Sequence, residues 1–481
     1  MSADTTTATT TEDDLLARVV APEGTGEEIF EPATGDLLGR APVHTTDDLE
    51  RLVAAATEAQ AGWAALGHGE RSARLNRIAD RLDAVAEPLA RLLAREQGKP
   101  LNGPNARFEV GACSSWLRAT AALELQEEVV VDDGQQVSVL TYRPIGLVAA
   151  VGPWNWPLMI TVWQVAPSLR MGNAVIVKPS EKTPLSVLAM LSIMAEELPE
   201  GVLGALSGGR EVGASLVAHP AVRKVMFTGS TAAGRKIVEA SGANLARLTL
   251  ELGGNDAGIV LPDADPKAIA QDVFWGAFIN TGQTCAALKR LYVHESIHDE
   301  LVEALAEVAR AMPMGRSLDE DSVLGPVQNS MQFDVVSGLV EDAKQRGGTI
   351  VTGGEPLTDL GPLFYPVTLV TGLHDGDRLV DEEQFGPALP IVKYSDVDEA
   401  VASANRLDVG LGASVWSSDP ARAQEVADRV EAGSVWINSH GGIHPMVPFG
   451  GVKGSGYGLE FGVEGLKALG VPKVVTRRSA E

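Results

Sequence analysis

The 481-residue chain predicts an α/β protein built on two doubly wound parallel sheets. Three observations carry that expectation. From about residue 145, short apolar runs alternate with helical patterns: "GLVAAVG", "NAVIVKPS", "GVLGALSGG" and "KVMFTGS" are each followed by a turn and a helix-like segment. A second series begins near residue 253 with "GGNDAGIVL" and continues through "LKRLYVHES", "GGTIVTGG" and "ASVWSS". The chain is also too long for one hydrophobic core, so two or three domains are expected.

The elements follow in order. "MSADTTTATTTEDD" lacks a basic start and an apolar stretch, so it reads as a disordered tail and not as a signal peptide. Thr45-Thr46-Asp47-Asp48 forms a capping-box pattern ahead of the helical "LERLVAAATEAQAGWAAL". One further helix is expected over "SARLNRIADRLDAVAEPLARLLAREQ", stopped by Gly98 and Pro100. "LELQEEVVVDDGQQVSVLTYRP" alternates like strands and can pair with the C-terminal "GVPKVVTRR" in an oligomerisation arm. Residues Pro144 to Leu169 carry no charge and would suit a bilayer in length. Pro153 and Pro157, however, would strand backbone groups in lipid, so a buried strand, a turn and a buried helix fit better. These readings divide the chain into a first domain (1–120 and 145–252), a second (253–458), and an arm with a C-terminal tail (121–144 and 459–481).

Composition narrows the partners. A net charge of −25 argues against nucleic acid or an anionic membrane. The two cysteines, Cys113 and Cys285, make no disulfide framework, and no metal-ligand spacing occurs, so no structural metal and a cytoplasmic location are expected.

Six stretches carry chemistry. "FTGSTAAGRK" spaces Gly229 and Gly234 as a triphosphate loop would, but Arg235-Lys236 stands where Lys-Ser/Thr is required. A helix start after a strand still suits an anion, and a dinucleotide pyrophosphate fits better than a γ-phosphate; a purely structural strand–helix turn is the alternative. "INTGQTCAALKR" sets Cys285 in a polar loop, where a thiolate can attack an electrophilic carbon; a buried core cysteine is the bland alternative. In "LTLELGGND", Glu251 lies in an apolar strand and is a candidate base of raised pKa, with a salt-bridged structural role as the alternative. "PWNWP" holds Asn155, an amide able to stabilise an oxyanion. "DEEQFGP" and "VKPSE" bring Glu383, Lys178 and Glu181 to predicted strand ends, where open sheets bind ligands.

Together these stretches resemble the NAD(P)-dependent aldehyde dehydrogenase superfamily. Its PWN, KPSE, FTGST, ELGG, GQ-x-C, E-x-FGP and PFGG-x-K-x-SG signatures occur in the family's order, the last as "PFGGVKGSGYG". The resemblance implies two Rossmann-like domains, one binding NAD and one catalytic, with a small β oligomerisation arm. It implies that Cys285 is the nucleophile, Glu251 the base and Asn155 the oxyanion amide. Lys178 and Glu181 match residues at the adenosine ribose, and Ser230 matches one at the pyrophosphate, with Gly229 and Gly234 giving close backbone approach. Glu383 matches the residue at the nicotinamide ribose, Phe385 lies against the nicotinamide, and Trp154 counts among the cofactor-binding residues. Asn255 departs from the lysine that many relatives carry, and no role is assigned to it. Trp156, Met159, Ile160 and Trp163 share one helical face, read as core packing from spacing alone; the resemblance puts them in the aldehyde tunnel and so favours apolar aliphatic or aromatic aldehydes. His440 and His444 are expected near the tunnel mouth. A polar semialdehyde is the alternative substrate. A CoA-acylating relative would lack Glu251. A homodimer or homotetramer is expected.

Overall fold

The computed structural model describes residues 10–478. Residues 1–9, most of the expected tail, and residues 479–481 lie outside that range.

The first sheet has six strands, in the order Gly456–Tyr457, Arg247–Glu251, Val222–Thr228, Leu147–Val151, Ala174–Lys178, Leu203–Ala205. All neighbours run parallel except Gly456–Tyr457, which is antiparallel to Arg247–Glu251. Leu147–Val151 and Ala174–Lys178 are buried almost throughout, because helices cover both faces, and near-continuous apolar runs are what such strands require. The second sheet has seven strands, in the order Thr349–Thr352, Thr368–Thr371, Ala388–Tyr394, Leu288–His294, Asp256–Val260, Gly412–Trp416, Ser434–Ile437. Only Thr349–Thr352 is antiparallel to its neighbour. Three antiparallel strands, Glu128–Asp132, Gln136–Pro144 and Gly470–Arg478, form a separate arm, with Gly470 opposite Pro144 and Arg478 opposite Gln136.

Register positions the site. Val151 lies opposite both Lys178 and Phe227, and Thr228 opposite Glu251, so four strands of the first sheet end level. Chain order reverses at Leu147–Val151, which lies between the strands that follow it, and ligands gather at the carboxyl ends of strands beside such a reversal. From Glu251 the chain passes through Gly253-Gly254 directly into Asp256, the first residue of the strand beside the second sheet's central Leu288–His294. The carboxyl ends of one sheet therefore face the amino ends of the other.

The charge-free stretch forms the strand Leu147–Val151, a turn, and the helix Pro157–Met171, every residue of which is buried. Among the described residues no helix is long and apolar enough to cross a membrane.

Two expectations need correction. The tail becomes ordered at Glu12–Ala17, where Thr11 and Asp14 form a capping box and Leu15 is fully buried. The expected single helix is two, Gly67–Ala84 and Ala86–Gln97, broken at Val85 (φ −120°, ψ 20°). Pro88 has no N–H and is tolerated only in a first turn, so it restarts the helix rather than continuing it. Gly98 does end the second helix, in the left-handed region at φ 92°.

Candidate active site

The strained centre of the molecule is the loop that carries Cys285. Asn280 and Thr281 adopt left-handed backbone (φ 51° and 56°) in the single turn Ile279–Gly282. Non-glycine residues pay about 1–3 kcal/mol each for that, so the surroundings must over-determine it. They do. Asn280 Nδ2 donates to the Asn155 carbonyl at 2.9 Å, and Thr281 Oγ1 accepts from the Gly325 N–H at 3.0 Å. Gln283 donates to Asn280 and Pro326 and accepts from the Gln328 N–H. Lys289 Nζ donates to the Gly282 carbonyl at 2.6 Å.

Asn155 and Trp156 reach this loop from the end of the first sheet. Asn155 Nδ2 donates to the Gln283 carbonyl at 2.9 Å, and Trp156 Nε1 donates to Thr284 Oγ1 at 2.9 Å. The amide has a second N–H to offer a ligand. The Cys285 side chain keeps only partial solvent contact; burial pushes its thiol up to about 12, and the carboxylates of Glu251, Asp256 and Glu383 add to the effect.

Glu251 ends its strand 4% exposed, and neither carboxyl oxygen has a hydrogen-bond partner among the described residues. Burial holds it well above the usual carboxylate range, and Glu460 raises it further. Glu460 is a further acidic group at the site that its sequence neighbourhood does not single out. It is buried and pushed up to about 8 by desolvation, with Lys224 pulling the other way. Its only sequence signal is a carboxylate isolated in the apolar run "YGLEFGV".

The candidate cofactor residues divide between two places. Glu383 lies against Gly253-Gly254: its Oε1 accepts the Gly254 N–H at 3.2 Å, and a Cβ on Gly253 would stand 2.6 Å from its other oxygen. Burial lifts Glu383 to about 7, with Lys289 lowering it. Phe385 packs edge-on against Trp154, with centroids 5.3 Å apart. At the second place, Lys178 ends its strand nearly buried, 3.7 Å from the half-exposed Glu181 carboxylate. Ser230 caps the helix Thr231–Ser241 by accepting the Ala233 N–H at 3.3 Å. Gly229 and Gly234 are needed for packing: a Cβ on Gly234 would meet Leu252 at 2.6 Å, and one on Gly229 would strike the Phe227 ring. Gly234 thus lets the helix Thr231–Ser241 pack on Leu252, and Gly229 makes room for the ring of Phe227 in the strand it follows. The donor set fits a dinucleotide: a carboxylate and an ammonium for one sugar, a helix N-terminus for the phosphates, and a buried carboxylate with two aromatic rings for the second sugar and its base.

Met159, Ile160 and Trp163 lie on the buried helix Pro157–Met171, with Trp156 just before it. Trp163 packs against Trp116 (centroids 5.5 Å apart) and Phe461 (4.8 Å), and Trp156 meets Phe108 edge-on at 6.2 Å. Phe108, Trp116 and Phe461 give no signal of these contacts in the sequence, because the first two come from the helix Ala106–Ala122 and the third from the residue ahead of Gly462–Lys467. His440 does not sit at a tunnel mouth. Its side chain is fully buried, 2.9 Å from Ser414 Oγ and 3.6 Å from Asp256. Asn255, given no role, donates to the Val380 carbonyl and fixes the turn between the sheets.

A thiol, an amide and a carboxyl around one strained loop can carry covalent catalysis at a carbonyl carbon. Comparison with known proteins agrees in kind. Residues 19–475 match the model of the aldehyde dehydrogenase family. The chain is 38% identical to phenylacetaldehyde dehydrogenase of Pseudomonas fluorescens over 91% of its length and 90% of that protein's. It is also 38% identical to vanillin dehydrogenase of an Amycolatopsis species, over 90% and 89%. Among solved structures, PnpE from Pseudomonas sp. WBC-3 superposes with a TM-score of 0.91 at 36% identity over 95% of both chains, and PnpE has also been solved with nicotinamide adenine dinucleotide. The chain belongs to the aldehyde dehydrogenase family.

Because burial and three carboxylates favour the neutral thiol, Cys285 in the free protein should alkylate slowly at pH 7. The thiolate fraction rises as pH rises toward the folded pKa, so the iodoacetamide rate should climb about tenfold per pH unit between pH 7 and 9. A plateau below pH 8 would contradict the electrostatics described.

Proposed function

We propose that the chain oxidises an apolar aliphatic or aromatic aldehyde to its carboxylic acid, with NAD as cofactor. The observation that carries this reading is the convergence of Cys285, Asn155 and Glu251 on the junction of the two sheets. Lys178, Glu181, Ser230, Glu383, Phe385 and Trp154 would hold the dinucleotide, which when bound supplies the acceptor for the aldehyde's hydride. The first domain (1–120 and 145–252) is assigned to cofactor binding and the second (253–458) to catalysis.

Cys285 sulfur adds to the aldehyde carbon, and the thiol proton passes to ionised Glu251, the foremost of the carboxyl groups that act on that thiol, and from there to solvent. The raised proton affinity of Glu251 makes its ionised form a strong base. The hemithioacetal oxygen bears the developing charge and is stabilised by the free Asn155 N–H and the Cys285 backbone N–H; such a donor contributes about 3 kcal/mol. Loss of hydride leaves a thioacyl group on Cys285. With that first proton passed to solvent, Glu251 takes a proton from water as the water oxygen attacks the thioacyl carbon; the C–S bond breaks, Glu251 returns the proton to the leaving sulfur, and the carboxylic acid departs from a restored thiol.

The substrate class rests on the surroundings of the helix Pro157–Met171. Trp156 and Trp163 pack with the rings of Phe108, Trp116 and Phe461, Met159 and Ile160 add apolar surface on the same helix, and that helix has one charged side chain, Arg170, at its far end. Two relatives are named for aromatic aldehydes. An apolar route disfavours a semialdehyde carboxylate, which would be desolvated without a partner. The arm exposes Val129, Val130, Val131, Val474 and Val475, which supports a homodimer or homotetramer that covers them. A working thiol needs a reducing compartment, so the cytoplasm is the proposed location.

Cys285→Ala should abolish turnover while the dissociation constant for NAD, read by fluorescence quenching, stays within about twofold, since the thiol touches only the aldehyde. More than a few per cent of residual activity would refute the nucleophile.

Glu181 should make the enzyme prefer NAD. Its carboxylate can accept from a ribose 2′-hydroxyl, whereas a 2′-phosphate would meet like charge at a cost of about 1–4 kcal/mol. kcat/KM should be higher for NAD than for NADP, and Glu181→Gln should narrow the gap. Equal values in the native enzyme would rule the role out.

A further inference from the structure

Behind Asn155 lies an ion pair that the chemistry above does not use. Lys99 and Glu109 have fully buried side chains, and the Lys99 ammonium donates to Glu109 Oε2 at 2.6 Å. Its next bond goes to the Asn155 carbonyl at 2.8 Å, the oxygen that also accepts Asn280 Nδ2. The same ammonium stands 3.7 Å from the centre of the Trp156 ring. The other Glu109 oxygen accepts the Leu158 and Met159 N–H groups at 2.9 and 3.1 Å, in the first turn of Pro157–Met171. Trp156 provides no side-chain cap for that turn, so Glu109 satisfies N–H groups that would otherwise be orphaned.

Stability alone does not require charges here. Desolvating two ions offsets most of their attraction, and an apolar pair of similar volume often serves a core as well or better. An apolar pair could not, however, bond the Asn155 carbonyl on one side and the helix start on the other. Burial pulls Lys99 down to about 8 while Glu109 holds it up, in keeping with an ammonium retained for its partners.

We propose that Lys99 and Glu109 are positioning residues for aldehyde oxidation, clamping the peptide on both sides of Trp156 so that the Asn155 amide meets the developing oxyanion. The inference rests on the assignment of Asn155 as the oxyanion donor.

A double-mutant cycle tests it. Lys99→Met and Asn155→Ala are made singly and together, and kcat per thiol is taken on the fraction of protein that binds NAD by fluorescence quenching, one Cys285 thiol per binding site, so that misfolded protein is not counted. Asn155→Ala should lower kcat per thiol about 10²–10³-fold. Lys99→Met should lower it about 10- to 100-fold, as a misplaced catalytic group does, with the NAD dissociation constant within about twofold of the native value. The double variant should be no slower than Asn155→Ala alone. Glu109→Gln keeps the acceptor for the helix N–H groups and should recover part of that loss when added to Lys99→Met, since no carboxylate is then left unpaired. The same pairing carries the cycle if Lys99→Met alone does not fold. Losses that multiply with Asn155→Ala, or an unchanged kcat per NAD-binding site in Lys99→Met, would overturn the positioning role. An Asn155→Ala enzyme that keeps its turnover would instead overturn the oxyanion assignment beneath it.

Discussion

The site depends on one costly constraint: a glutamate carboxyl buried at the end of a strand with neither oxygen hydrogen-bonded. Desolvation of an unpaired carboxylate costs several kcal/mol, so Glu251 holds its proton until something changes around it. The fold enforces the burial. Gly456–Tyr457 pairs alongside, with Gly456 opposite Glu251, so the C-terminal segment seals the edge that would otherwise open to water. The same segment brings the buried Glu460, a second carboxyl of raised proton affinity. The thiol obeys the same rule: its desolvation and the carboxylates around it keep the resting Cys285 neutral. Both groups are thus held in forms that do little until substrate and cofactor alter the local charge.

Holding such groups in register takes rigidity, which comes from buried polar bonds. Asn280 and Thr281 are held left-handed by side-chain bonds to the Asn155 carbonyl and the Gly325 N–H, and by Gln283, which donates to the Asn280 carbonyl. Lys289 ties the loop to the second sheet, and its ammonium lies 5.0 Å from the centre of the Phe385 ring, so loop and aromatic residue move together. The level strand ends of the first sheet add the remaining alignment, since Lys178, Thr228 and Glu251 are fixed by ladder hydrogen bonds and not by loops.

What the sequence disclosed follows from how local each signal is. Strands bounded by glycine turns, the Thr45 cap and the Gly98 stop act within a few residues, and they were legible. The helix at Glu12–Ala17 was hidden by a threonine-rich tail, although Thr11 and Asp14 form a capping box as local as the one at Thr45. The break at Val85 was missed because the apolar pattern runs across it. Cys285, Glu251 and Asn155 stood out as chemistry in unexpected company, a carboxylate among leucines above all. Lys99, Glu109 and Glu460 did not, because each is ordinary beside its sequence neighbours and unusual only beside groups brought from elsewhere in the fold. Gly229 and Gly234 were legible as glycines that something required; that the requirement was Phe227 and Leu252 needed three dimensions.

The central claim is that Glu251 is the base that releases the acyl group. Glu251→Gln keeps the shape and loses the proton acceptor, so the first half of the reaction should outrun the second. Rapid mixing of this variant with excess NAD and aldehyde should give a burst approaching about one NADH per titrated thiol, followed by slow turnover. Intact mass taken during the slow phase should show the acyl group on Cys285. Steady turnover at the native rate with no acyl adduct would contradict the account and leave Glu251 a structural carboxyl.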